Sequence, residues 1–113
     1  MVGKWSGMIE SELTETLREF VREREWESFH TAENLAKSIS IEAGELLECF
    51  QWGGSVDAER VQEELADVLT YCLLLVDRYE LDANQIVLEK LEVTRAKYPV
   101  DKAKGRSTRY DQL

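Results

Sequence analysis

Apolar and polar positions recur along most of this chain with a helical period, and the pattern breaks at only a few places. Between Ser11 and about Glu25, Leu13, Leu17, Phe20 and Val21 return among charged residues, the spacing of an amphipathic helix whose outer face is solvated. WESFHT, from Trp26 to Thr31, interrupts that pattern with two aromatics and the only histidine. It reads as a loop forming the wall of a site. Thr31 can cap a second helix that continues to the Gly53-Gly54 break, because a threonine hydroxyl satisfies an orphan amide and glycine ends a helix at little steric cost.

Ser55 or Asp57 can cap a third helix running through QEELADVLTYCLLLVDRYE, in which Asp67 is the one charge between Leu65 and Val76. A helix apolar nearly all round belongs at the centre of a bundle, against helices of its own chain and of a second subunit. Asp82 and Gln85 resemble a capping box, and a fourth helix then carries Ile86, Leu88, Leu91 and Val93 until Pro99 stops it. The remainder, VDKAKGRSTRYDQL, holds Lys102, Lys104, Arg106 and Arg109 with little apolar periodicity. It is a basic tail over 100–113, either loose or folded over a ligand. No stretch alternates as a strand does, and no repeat or low-complexity block is evident. The expected fold is all-α: one helical domain over 1–113, built as a four-helix bundle.

Composition sharpens this picture. A chain of 113 residues with 43% hydrophobic and 33% charged content is a globular domain, and one small enough to gain from self-association, with a homodimer as the minimum. Its 23 acidic and 14 basic residues give a net charge of -9, which repels DNA, RNA and anionic membranes. Divalent cations held by carboxylates reverse the local sign, so a polyphosphate stays within reach. Cys49 and Cys72 lie in apolar helical patterns and read as buried, reduced thiols. The start MVGKWSGMIE lacks the apolar core of a signal peptide, and the run from Leu65 to Val76 is short of the roughly 20 apolar residues that span a bilayer. A cytoplasmic protein is the expectation.

The chemistry concentrates in IEAGELLECFQW, Ile41 to Trp52. On a wheel of about 3.6 residues per turn, Leu35, Ile39, Ala43, Leu46 and Phe50 define the inward face, with Glu42 at its edge, Glu45 on the same side and Glu48 drifting outward. Glu64 and Asp67 repeat the spacing on the third helix. If the Gly53-Gly54 turn folds the two helices antiparallel, the pairs Glu42/Glu45 and Glu64/Asp67 converge. Four anions so placed repel by several kcal/mol, as an order of magnitude, and must take up protons or cations. Oxygen donors alone select hard ions, Mg²⁺ or Mn²⁺. Carboxylate di-iron bundles use Glu-x-x-His pairs, and His30 is not spaced that way.

With EAGE, ELAD, WESFH, FQW and KLEVTRAKYP in this order, the sequence resembles the MazG-like all-α nucleoside triphosphate pyrophosphohydrolases, and among them the dCTP pyrophosphatase branch. The likeness runs from about Glu15 to the RYDQL end. It implies hydrolysis of a nucleoside triphosphate, with dCTP or a modified dCTP as the candidate, to monophosphate and pyrophosphate in nucleotide-pool cleansing. It also implies Mg²⁺ held by Glu42, Glu45, Glu64 and Asp67, with Glu45 orienting or deprotonating the attacking water. Trp26, His30, Trp52 and Tyr71 match positions around base and sugar, and Lys90, Arg95 and Lys97 are candidates for the phosphates. Thr94 stands where dCTP-preferring members tend to carry Asn, and Leu17 where some carry His, which leaves the base open. Two rivals stand beside this reading: a non-catalytic acidic helical module that oligomerises or binds a partner, and the same chemistry on dUTP or a phosphoribosyl nucleotide.

Overall fold

A computed structural model describes residues 10–113, and these form helices and turns with no strand among the described residues. The start scanned for a signal core, up to Ile9, lies outside the described residues. Four longer helices follow in chain order: α1 (Glu10–Glu23), α2 (Ala32–Glu48), α3 (Ala58–Arg78) and α4 (Ala83–Lys97), then a short α5 (Val100–Ala103). The all-helical expectation is borne out. By their contacts the residues form two units, one ending at Leu81 and one spanning Asp82–Leu113.

In the first unit the caps are those that the side chains favour. Thr31 accepts from the Asn34 amide at 3.1 Å, and Asp57, not Ser55, caps α3 by accepting from the amides of Glu59 and Arg60. The second helix stops at Glu48, short of the glycines, and continues as hydrogen-bonded turns through Cys49, Phe50 and Gln51. Gly53 and Gly54 then take φ of 68° and 71°, a left-handed backbone that side chains resist. The reversal is antiparallel: Glu48 near the turn reaches Arg60 at 3.7 Å, and Glu42 further back reaches Glu64 and Asp67. Two glutamates also adopt left-handed backbone, Glu25 after α1 and Glu80 after α3. At each, the next amide bonds back past the helix end, Trp26 to the Val21 carbonyl and Leu81 to the Val76 carbonyl, as in a Schellman close.

The interior of this single chain is thin. Val21 and Leu35 alone are buried among the described residues, whereas Ile41, Leu47, Phe50 and Leu69 are more than half exposed. On the α2 face read as inward, Leu35 is buried, Ile39 and Leu46 are half-buried, and Ala43 and Phe50 are exposed. Cys49 and Cys72 are free thiols as expected, but half-buried and not buried. In the second unit Asp82 caps α4 through the Gln85 amide at 2.9 Å. The Gln85 side chain turns to Glu89 instead of closing a reciprocal box. The tail is ordered into α5 and a 3₁₀ turn at Tyr110–Gln112, where Tyr110 meets Tyr98 edge-on and lies under the Lys97 ammonium.

Candidate active site

Regular helical spacing on α2 and α3 builds the acidic half of the site. Glu42, Glu64 and Asp67 each offer a carboxylate oxygen, and the three oxygens lie within 4.8 Å of one another. Partial loss of water, then the charges of Asp67 and Glu64, push the Glu42 carboxyl above its usual range. Glu45 sits on the same helix but its carboxyl turns to Glu48. A hydrogen bond that its protonated form donates to that neighbour is the first cause that raises it, ahead of the Glu48 charge, desolvation, Glu64 and Glu42. Glu48 in turn leans on Arg60. Of the four carboxylates expected to meet, three do so, and Glu45 stands beside them next to Glu48. An oxygen-only donor set that is short of positive charge fits a hard divalent cation.

Beside Asp67 opens a cavity of about 280 Å³, lined by Leu17, Phe20, Val21, Trp26, His30, Asp67, Thr70, Tyr71 and Leu74. The left-handed Glu25 turns the chain at the end of α1 so that Trp26 folds back. Its ring meets Phe20 edge-on at 5.7 Å and His30 at 6.4 Å. The Arg24 guanidinium covers the Phe20 ring at 3.7 Å, fixing one end of this aromatic row. The 3₁₀ turn at Glu27–Phe29 is pinned by Asn34, whose side-chain amide donates to the Phe29 carbonyl. WESFHT is thus a wall, as its aromatics suggested, and Trp26, His30 and Tyr71 come together on one slot.

The other expected residues belong to the α2–α3 turn and to the second unit. Trp52 is 88% exposed at the α2–α3 turn and takes no part in this slot. Lys90, Thr94, Arg95 and Lys97 lie on α4 in the second unit: Thr94 donates its hydroxyl to the Lys90 carbonyl, Arg95 pairs with Glu92, and Lys97 covers Tyr110. Nothing in the sequence pattern marked Phe20, Val21, Thr70 and Leu74 as lining the slot. Apolar residues at helical spacing announce a core before they announce a pocket.

Oxygen donors beside an apolar aromatic slot, on antiparallel helices, define a class of helical protein suited to a cation and a flat ring. Residues 37–113 match the model of the MazG-like family, and the chain belongs to that family. It is 40% identical over 105 residues to dCTP pyrophosphatase 1 of Homo sapiens, and 39% identical to that of Mus musculus, in each case over 84% of this chain and 62% of the relative's length. It therefore spans less than two thirds of the curated relatives it matches. A crystal structure of a pyrophosphatase from Archaeoglobus fulgidus superposes with a TM-score of 0.72 at 47% identity, covering 79% of this chain and 91% of that one. No helix among the described residues is long and apolar enough to cross a membrane.

Proposed function

We propose that this protein is a nucleotide pyrophosphohydrolase, converting a nucleoside triphosphate and water to a monophosphate and pyrophosphate, with dCTP or a modified dCTP as the candidate substrate. One observation carries the reading: Asp67 belongs both to the carboxylate trio and to the aromatic slot. A single ligand with a ring at one end and a polyphosphate at the other would meet both. The likeness to dCTP pyrophosphatase 1 and to an archaeal pyrophosphatase supports the same chemistry.

In this reading Glu42, Glu64 and Asp67 hold Mg²⁺, with Mn²⁺ as a substitute, and Glu45 joins them or works beside them. The cation neutralises the polyphosphate and makes a nearby water more acidic when bound. Glu45 would orient that water and accept its proton, and the neighbouring Glu48 raises the proton affinity of its carboxylate. Water adds to a phosphorus of the anhydride, the bridging P–O bond breaks, and pyrophosphate departs. Trp26, His30 and Tyr71 stack on and border the base, giving affinity with modest base choice. Lys90, Arg95 and Lys97 are the proposed phosphate contacts, Thr94 a base or sugar contact, and Trp52 a substrate contact supplied from the turn.

The exposed apolar side chains on α2 and around the turn, Ile41, Leu47, Phe50 and Trp52, favour self-association, with a homodimer as the minimum and a homotetramer as the larger form. They equally motivate the rival reading of a non-catalytic helical module. Incubation with each common dNTP and NTP, with Mg²⁺ or with chelator, separates the two. Metal-dependent pyrophosphate and monophosphate are expected, and no turnover of any nucleotide by folded protein would leave the module. A panel extended to dUTP and phosphoribosyl nucleotides ranks the substrates.

A further inference from the structure

The aromatic slot is made by helices that sequence separates widely. Leu17, Phe20 and Val21 come from α1, whereas Asp67, Thr70, Tyr71 and Leu74 come from α3. The width of the slot is therefore the distance between these two helices. Adjoining it is a second cavity of about 230 Å³ that shares Val21, His30 and Leu74 with the first. On its wall Arg18 reaches from α1 across to α3. The Arg18 guanidinium donates twice to the Asp77 carboxylate, through Nε to Oδ2 at 3.2 Å and through Nη2 to Oδ1. A third donation goes to Glu15, one turn back on α1. The planar fork thus sees two carboxylates, and Asp77 first among them holds it firmly protonated.

This pairing is well suited to setting geometry. A bidentate fork fixes angle as well as distance, which apolar contacts between half-exposed helices do not. Arg18 also lies one residue from Leu17 and two from Phe20, both on the slot, and Asp77 lies one helical turn beyond Leu74. We propose that Arg18 is a positioning residue: its paired hydrogen bonds to Asp77 hold α1 at the spacing from α3 at which the slot grips the base. The proposal rests on the nucleotide reading above. It assigns Arg18 no contact with substrate or with the reacting atoms.

The test is steady-state kinetics of the full chain as Arg18→Gln, Arg18→Lys and Asp77→Asn, together with Mn²⁺ affinity of each by titration. In Arg18→Gln and in the isosteric Asp77→Asn, KM is expected to rise by about five- to tenfold with kcat within about twofold, the pattern of lost ground-state binding. Mn²⁺ affinity should stay at the wild-type value, since the carboxylate trio is untouched. Arg18→Lys keeps the charge without the fork and should recover part of the KM. A wild-type KM in both neutral variants, even with lowered thermal stability, overturns the proposal by reducing the pair to a structural staple. A fall in kcat equal to the change in kcat/KM also overturns it. Wild-type protein that turns over no nucleotide overturns the nucleotide reading itself and this inference with it, an outcome distinct from a working enzyme indifferent to Arg18.

Discussion

The start of α3 and its middle hold the same chemical group under opposite conditions. At the start, the Asp57 carboxylate accepts the amides of Glu59 at 3.0 Å and Arg60 at 3.4 Å and faces the positive end of the helix dipole. In the middle, Asp67 faces Glu42 and Glu64 with the oxygens within 4.8 Å, like charges in place of amides. The first carboxylate stabilises the fold. The second is exposed and stands among like charges that raise the Glu42 carboxyl, an arrangement that points to function more than to stability.

The sharpest way to break this comparison is to neutralise the middle. Asp67→Asn or Glu64→Gln should lower pyrophosphate release by about a hundredfold or more, since charge stabilisation at a phosphoryl centre is commonly worth that much. The same change should raise the melting temperature of the metal-free protein, because it removes repulsion. A variant that loses activity and also melts lower in chelator would show that Asp67 is structural, like Asp57. Next in size, Trp26→Ala should raise KM roughly tenfold through lost stacking while leaving the thermal response to Mg²⁺ intact. Isothermal titration with Mg²⁺ alone would register any unexpected link between the slot and the trio.

At the other end of α3, Asp57→Ala should cost about 1 kcal/mol of stability, the usual worth of a cap with satisfied amides. Activity per folded molecule should be unchanged. Chemical denaturation beside an activity assay checks both parts, and a kinetic defect in this variant would erase the distinction between the two carboxylates.

How much of this was legible beforehand follows from the range of the interactions. Glu42, Glu64 and Asp67 could be brought together on paper because the helical period and the length of the Gly53-Gly54 turn fix their depth. The capping residues could be read because a cap is local. Glu45 could not be placed, since Glu42 and Glu48 both lie three residues away and the choice between them is a rotamer that no sequence pattern encodes. Arg18 and Asp77 are 59 residues apart, so their pairing exists only once α1 has found α3. The turn at Glu25 was also hidden, because a glutamate occupies a left-handed position where glycine is the usual signal. Trp52, expected near base and sugar, is 88% exposed at the α2–α3 turn of the single chain.

The smallest expected effect tests the electrostatics most directly. Glu42 and Glu45 both have folded-state pKa values raised above those of the open chain. Their favourable contribution is therefore fully present below the ordinary carboxyl range and is lost as pH rises through the folded values. In chelator, Glu42→Gln should melt above wild type near neutral pH, and the gap should close as pH falls through the raised folded-state range in which the wild-type carboxyl regains its proton. With saturating Mg²⁺ the order should invert, because the cation stabilises the wild-type charge and protons compete with it. Asp57→Ala, whose carboxylate is satisfied by amides, should show no inversion with Mg²⁺. Melting curves across that pH range, with and without metal, decide the matter: a gap independent of both pH and Mg²⁺ would mean that Glu42 does not share its space with Glu64 and Asp67 in solution.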